Sequence, residues 1–258
     1  MPVLTVAREG GVLRLTLNRP EKRNALNPDL LRALRAAIAD AARDPAVRSV
    51  LLDAEGAAFC AGGDLDAMIA RRGNALAAQE AQETLFGALA RDILLLEKPV
   101  VAAVHGDAHG AGLMLVLACD YAVASPQAKF AASFTRIGLV PDTAGSWLLP
   151  KTLGLRAARE LALIPDPIDA KRAESLGLVN AVHEDPRARA LEIAKRWAEG
   201  PTAALGLAKK AIVLGTADNL DQALAREATL QGLAYATRDH GEGVDALKEK
   251  RPARFEGR

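Results

Sequence analysis

The chain has 258 residues, room for one large domain or one domain with an appendage, and half of its residues are apolar. Aromatics make up 3% and the formal net charge is +1, so there is little surface for stacking on bases and no global field to draw in nucleic acid or a membrane. Two cysteines (Cys60, Cys119) in apolar surroundings and four histidines without ligand spacing give neither a disulfide framework nor a metal site.

In chain order, Leu4 to Ala7 and Val12 to Leu17 flank Glu9-Gly10-Gly11 and predict a hairpin, stopped by Asn18-Arg19-Pro20. The start has no charged segment leading into an apolar core, so no signal peptide is expected. Asn27-Pro28 supplies a cap and a first-turn proline for a helix to about Ala42. Arg48 to Asp53 reads as a strand, and Phe59-Cys60-Ala61-Gly62-Gly63-Asp64 as a small-residue turn. Asp64 is placed to cap a short helix over Leu65 to Ala70. After a break at Arg71-Arg72-Gly73-Asn74, a helical period runs from Ala75 to Leu96.

Pro99 to Val104 predicts a second strand of this kind. It is followed by a second small-residue turn, Gly106-Asp107-Ala108-His109-Gly110-Ala111-Gly112, and a helix from about Gly110 to Ala118. Asp120 to Ala124 and Lys129 to Ala132 read as strands, and the chain is irregular from Phe134 until Ser146 to Leu153. Helices then dominate: about Leu155 to Leu163, Ala170 to Leu176, Arg187 to Glu199, Ala203 to Leu214 and Leu220 to Arg238, with a strand near Leu178 to Val182. The longest apolar runs, such as Leu113 to Cys119, are too short to span a bilayer. The expectation is a cytoplasmic protein with a mixed α/β core followed by helices.

The two turns carry the chemistry. Glycine-rich turns leave backbone N–H groups unscreened, and two of them converging on one point make an oxyanion hole. Either turn alone reads as an ordinary strand end. As a pair, they offer the N–H groups of Gly63 and Ala111, the second in the first turn of a helix, where unpaired N–H groups and the dipole favour negative charge. An oxyanion hole needs a group that moves a proton or attacks. Asp142, within Ile137-Gly138-Leu139-Val140-Pro141-Asp142-Thr143, is one carboxylate in an apolar stretch, where burial raises the pKa and strengthens the base. On spacing alone, Pro-Asp as turn or cap chemistry is the stronger reading. His105 and His109 flank the second turn with no Ser/His/Asp pattern around them, and read as satisfied polar residues.

Taken together, Leu17-Asn18-Arg19-Pro20, Asn24-Ala25, Phe59 to Asp64, Lys98-Pro99-Val100, Gly106 to Gly112, Ala118-Cys119-Asp120, Ile137 to Pro141 and Glu249-Lys250-Arg251 resemble the crotonase superfamily of enoyl-CoA hydratases and isomerases. The resemblance implies an α/β spiral of ββα units over residues 1–200. It also implies a C-terminal helical region over 201–258 that forms a homotrimer or a hexamer built as a dimer of trimers. It places an acyl-CoA thioester in the oxyanion hole at Gly63 and Ala111. Acyl-CoA-binding positions carry over to Lys22, Arg23, Ala25, Ala61, Asp64, Leu65, Gly110 and Lys250, and acyl-pocket positions to Met114 and Phe134. Coenzyme A is part of the substrate, and no separate cofactor or metal is expected.

The departures from the family pattern direct the reaction. Hydratases carry two glutamates that activate water; here Met114 and Phe134 stand at those positions, and neither is an acid or base. The run Phe134 to Asp142, with Gly145-Ser146-Trp147-Leu148-Leu149-Pro150, looks like the 1,2-epoxyphenylacetyl-CoA isomerases of aerobic phenylacetate breakdown. Those enzymes turn a ring epoxide into an oxepin and shift enoyl double bonds. The matching aspartate is their acid/base, a role that carries over to Asp142. His109 is bulkier than that pattern expects. Other readings are an aryl-CoA dehalogenase, favoured by Asp142-Thr143-Ala144 but missing a tryptophan at Phe134, a hydratase, and a non-catalytic CoA-binding subunit docked on a homologous hydratase.

Overall fold

A computed structural model describes residues 2–258. The chain alternates between two sheets. β1 (Leu4–Glu9) and β2 (Val12–Leu17) form the antiparallel hairpin, and α1 (Pro28–Arg43) follows. β3 (Ser49–Ala54) runs parallel to β2, β5 (Val100–Val104) parallel to β3, β7 (Tyr121–Ala124) parallel to β5, and β10 (Ala181–Val182) closes this six-stranded sheet. Each of β3, β5 and β7 is followed by a short strand of a second sheet: β4 (Ala58–Cys60), β6 (Asp107–His109) and β8 (Lys129–Ala131), edged by antiparallel β9 (Ile168–Asp169). A helix then follows: α2 (Leu65–Ala70) after β4, α5 (Ala111–Ala118) after β6, and, beyond a 3-10 turn at Ser133–Ile137, α6 (Gly145–Leu163) after β8. This repeating ββα turn is the expected spiral.

Burial explains the strand composition. Parallel strands covered on both faces read as unbroken apolar runs, and every residue of β3 and β5 is buried. Alternate residues face opposite ways. Val50, Leu52, Val100, Ala102 and Val104 enter the main core, while Val12, Leu51, Val101, Ala103 and Val123 pack on Ala190, Ala194 and Ala198 of α8 (Pro186–Ala198). α5 is apolar on every side and every one of its residues is buried, as suits a helix inside the core. α1 instead buries one stripe, Leu30, Leu31, Leu34, Ala37, Ile38 and Ala41, and its first turn is held by Asn27, which accepts from the Leu30 N–H at 2.9 Å.

Three expectations need correction. The two motifs read as turns overlap strands, β4 and β6, so of the second sheet only β8 was read as a strand, over Lys129 to Ala132; strands of two or three residues carry little periodicity to detect. The helix predicted from Ala75 to Leu96 is α3 (Ala75–Ala81), a π-turn over Gln82–Phe86, and α4 (Gly87–Leu95). The helix predicted to Arg238 ends at Tyr235 as α10 (Leu220–Tyr235), and a further helix, α11 (Arg238–Glu249), follows α7 (Ala170–Ser175), α8, α9 (Thr202–Gly215) and α10 in the helical second half. Buried Asp239 of α11 accepts from the Glu256 and Gly257 N–H groups, each at 2.7 Å, a tertiary clasp that local sequence does not announce. The predicted break between Leu153 and Leu155 is present: Gly154 is non-helical within α6.

α9 is fastened to the spiral. Gly206 lies so close to the backbone of Glu97 that a Cβ there would collide with it. Lys209 donates from a buried Nζ to Asp120 and to the Ile93 carbonyl, at 2.7 and 2.8 Å.

Candidate active site

The second sheet brings the two small-residue turns together. β4 pairs with β6 through Ala58 with Asp107 and Cys60 with Ala108. Gly62 has φ +100°, and a Cβ on it would stand 2.9 Å from the His109 carbonyl oxygen and 3.5 Å from the Ala111 nitrogen. A Cβ on Gly112 would collide with the Cys60 carbonyl and lie 2.8 Å from its Sγ. The backbones therefore touch where side chains are absent, which is what the glycines permit.

The N–H directions follow from local pairing. Leu26 donates to the Gly62 carbonyl at 2.7 Å and accepts from the Asp64 N–H at 3.2 Å, so Gly63 between them turns its own N–H away. Ala111 opens α5, where the first N–H groups have no intrahelical acceptor. Among the described residues, neither the Gly63 nor the Ala111 N–H donates to a protein group.

Several predicted binding residues brace these turns. Asp64 is buried; its Oδ1 accepts from the Ala67 N–H as cap of α2 and its Oδ2 from Arg19 at 2.9 Å. Burial pushes that carboxyl up, but the Ala67 N–H and Arg19 outweigh it and hold it below the usual range. Arg19 also donates to the carbonyl of Ala25, and Ala61 donates to the carbonyl of Arg23. The Arg23 side chain pairs with Asp107 at 2.9 Å, linking the segment after β2 to the second turn. Lys22 pairs with Asp66 at 3.0 Å at the surface, and Leu65 is exposed at the start of α2. Gly110, with φ +51°, donates its N–H to Ala131 and lies beside Ser133 and Phe134. Lys250 stands apart from the turns, at the left-handed C-cap of α11.

Asp142 sits directly before α6. The Gly145 N–H donates to its carbonyl at 2.6 Å, and the two residues between, Thr143 and Ala144, both have left-handed backbone (φ +52° and +63°). A β-branched residue there is strained, and such strain clusters at functional sites. Gly145 packs so closely that a Cβ on it would stand 2.7 Å from Met114 Sδ of α5, which ties the Asp142 turn to the helix that begins with Ala111. Met114 and Phe134 are buried apolar groups.

The Asp142 carboxylate accepts from Thr143 Oγ1 at 2.8 Å and from Gln82 Nε2 at 2.7 Å. Burial pushes its pKa above the usual carboxylate value, and the bonds from Thr143 and Gln82 only partly oppose this. Among the described residues no cation pairs with it, in contrast to Asp64 and Asp107. Gln82, in the π-turn, escaped the sequence reading because a helical period gives no sign of a π-turn.

His109 corrects an expectation: its Nε2 is buried without a hydrogen-bond partner, and burial lowers the imidazole pKa. His105 Nε2 meets the Gly56 carbonyl at 2.8 Å, but its Nδ1 is likewise buried and unpaired. Cys60 and Cys119 are free thiols, both pushed up to about 12 by burial.

A ββα spiral in which two glycine turns meet backbone to backbone is a fold of the crotonase type. Residues 7–258 match the enoyl-CoA hydratase/isomerase family, and the chain belongs to that family. It is 38% identical to the 1,2-epoxyphenylacetyl-CoA isomerase of Escherichia coli over 97% of both chains. It is 36% identical to the crotonyl-CoA hydratase of Syntrophomonas wolfei, over 98% of this chain and 97% of that one. Among solved structures, an enoyl-CoA hydratase from Polaromonas superposes with a TM-score of 0.91 at 37% identity, covering 98% of this chain and 99% of that one.

Proposed function

We propose that this member of the family is an acyl-CoA isomerase in which Asp142 is the acid/base and the N–H groups of Gly63 and Ala111 hold the thioester oxygen. The observation that supports this reading is the setting of Asp142: a half-buried carboxylate with a raised pKa and no cation partner among the described residues, joined through Gly145 and Met114 to the helix that begins with Ala111. The other carboxylates at the turns are committed to Arg19 and Arg23. With Met114 and Phe134 at the water-activating positions, hydration has no acid/base pair to run on.

In the reaction, Asp142 removes a proton from the carbon next to the thioester. The electron pair moves onto the carbonyl oxygen, where each N–H donor is worth about 10²–10³ in rate. Return of the proton two carbons further along a 3-enoyl chain gives the conjugated 2-enoyl isomer with no net change in composition. The same enolate stabilisation serves a ring-epoxide substrate opening to an oxepin. The likeness to the E. coli isomerase supports an aromatic-acid or fatty-acid catabolic role in the cytoplasm. Exposed Leu220, Leu224, Leu233, Tyr235 and Leu247 on α10 and α11 support a C-terminal trimer interface, alone or in a hexamer; the family resemblance alone carries Lys250 to a contact with the CoA phosphates.

The test is turnover of a 3-enoyl-CoA by wild type and Asp142→Asn, with CoA-thioester binding measured in parallel. Loss of turnover with binding intact is expected. Fast hydration of crotonyl-CoA by the pure protein, or an active Asp142→Asn, refutes the reading. Chloride release from a chlorobenzoyl-CoA would indicate the dehalogenase reaction instead.

A further inference from the structure

Among the described residues, Gln82 is the one side chain from outside the Asp142 turn that hydrogen-bonds the Asp142 carboxylate. It stands at the first position of the π-turn between α3 and α4, a local irregularity that recurs at functional sites in helices. Its Nε2 donates to Asp142 Oδ2 at 2.7 Å, while its Oε1 is buried with no partner. Buried amides ordinarily satisfy both ends. The unpaired end marks a side chain held by Asp142 rather than by its own helix. Each carboxylate oxygen has two acceptor positions, and Thr143 and Gln82 take one each, so a position stays open for a substrate proton.

We propose that Gln82 is a positioning residue for Asp142: its amide fixes the carboxylate in one orientation and stabilises the ionised form, and the amide turned over, with Oε1 toward Asp142, accepts from the protonated form. The proposal rests on Asp142 being the acid/base. The bond to the ionised form is charge-assisted and roughly twice as strong as the neutral one, so removing the amide shifts the balance toward protonation.

Other charged groups around the pair do not supply this effect. On the same helical segment, exposed Glu83 accepts from Gln79 and Glu80 is exposed. From α1, Arg35 is bonded to Asp92 and to the Thr84 carbonyl. From the 3-10 turn, Arg136 pairs with Asp166; from the second turn, half-buried His109 has a lowered pKa. Burial, Thr143 and Gln82 account for the Asp142 environment.

The experiment follows the pH dependence of kcat/KM for a 3-enoyl-CoA in wild type, Gln82→Leu, Gln82→Glu and Asp142→Asn, with a 13C titration of the aspartate carboxyls in each folded protein. In Gln82→Leu the acid limb and the Asp142 titration move up together by about one pH unit, kcat falls at neutral pH, and KM holds. Gln82→Glu, of nearly equal volume, replaces a donor by a like charge and moves both further; it carries the test if the leucine variant does not fold. Unmoved limbs and titrations in a protein inactivated by Asp142→Asn overturn the role of Gln82 alone. Activity in Asp142→Asn overturns the acid/base reading and this proposal with it.

Discussion

Gly112→Ala tests whether the contact between the two turns sets the site. On helix propensity alone the change is favourable, by up to about 1 kcal/mol, because Gly112 lies in α5. The structure reverses that sign. The new Cβ would stand 2.7 Å from Cys60 Cβ and 2.8 Å from its Sγ, and would collide with the Cys60 carbonyl. Carbon–carbon contact distances are about 3.5–4.0 Å, so the α5 start and the end of β4 must separate by about 1 Å. Backbone on one side and a fully buried residue on the other leave no flexible group to yield. Overpacking of this kind costs about 1–3 kcal/mol. The same displacement separates the Gly63 and Ala111 N–H groups, and a misplacement of about 1 Å lowers turnover about 10²-fold. Urea unfolding followed by circular dichroism reads the first effect, and 3-enoyl-CoA turnover at saturation reads the second. Gly232→Ala in α10, with open space around the new Cβ, is the control and should be neutral or stabilising. A Gly112→Ala protein with wild-type stability and turnover would show that the turns do not position each other.

Three further outcomes are expected. Because burial raises the Asp142 pKa above its unfolded value, the folded protein holds the proton more tightly, and stability falls as pH rises from the unfolded value through the folded one; Asp142→Asn should therefore unfold at a higher temperature than wild type at pH 7, with the gap closing in acid, as calorimetry would read. Lys209→Met removes the buried ammonium that bonds half-exposed Asp120 and the Ile93 carbonyl and should cost about 1–3 kcal/mol, measured by denaturant midpoint, while loosening α9 from the spiral. Buried Cys60, with its thiol pushed up to about 12, should resist a disulfide reagent at pH 8 until denaturant is added, with half-buried Cys119 the faster of the two; rapid labelling of Cys60 in the native protein would contradict its burial.

Elements with a strong period or a cap were legible. Asn27, Asp64 and the buried stripe of α1 announce helices because their side chains act within one turn of backbone. Short apolar runs, Val50 to Leu52 and Val100 to Val104, announced β3 and β5 because burial on both faces demands them. Apart from β8, the strands of the second sheet were not legible, and nor was α11, since their stability comes from partners distant in sequence, such as Asp239 and the Gly257 N–H. Asp142 was named from its motif and its apolar setting. Gln82 was not, because 60 residues separate it from its carboxylate and nothing local marks the π-turn.

The sequence by itself determined the family, the glycine turns, and the absence of carboxylates at the Met114 and Phe134 positions, all properties of residue type and order. The tertiary structure decided what no order reveals. Gly62 and Gly112 allow the two turns to meet backbone to backbone, and Gly145 lets the Asp142 turn pack on α5. Arg19 and Arg23 occupy the neighbouring carboxylates and leave Asp142 without a cation. A proton-transfer site depends on distance, desolvation and the charge of its neighbours, and those become defined only when the spiral closes.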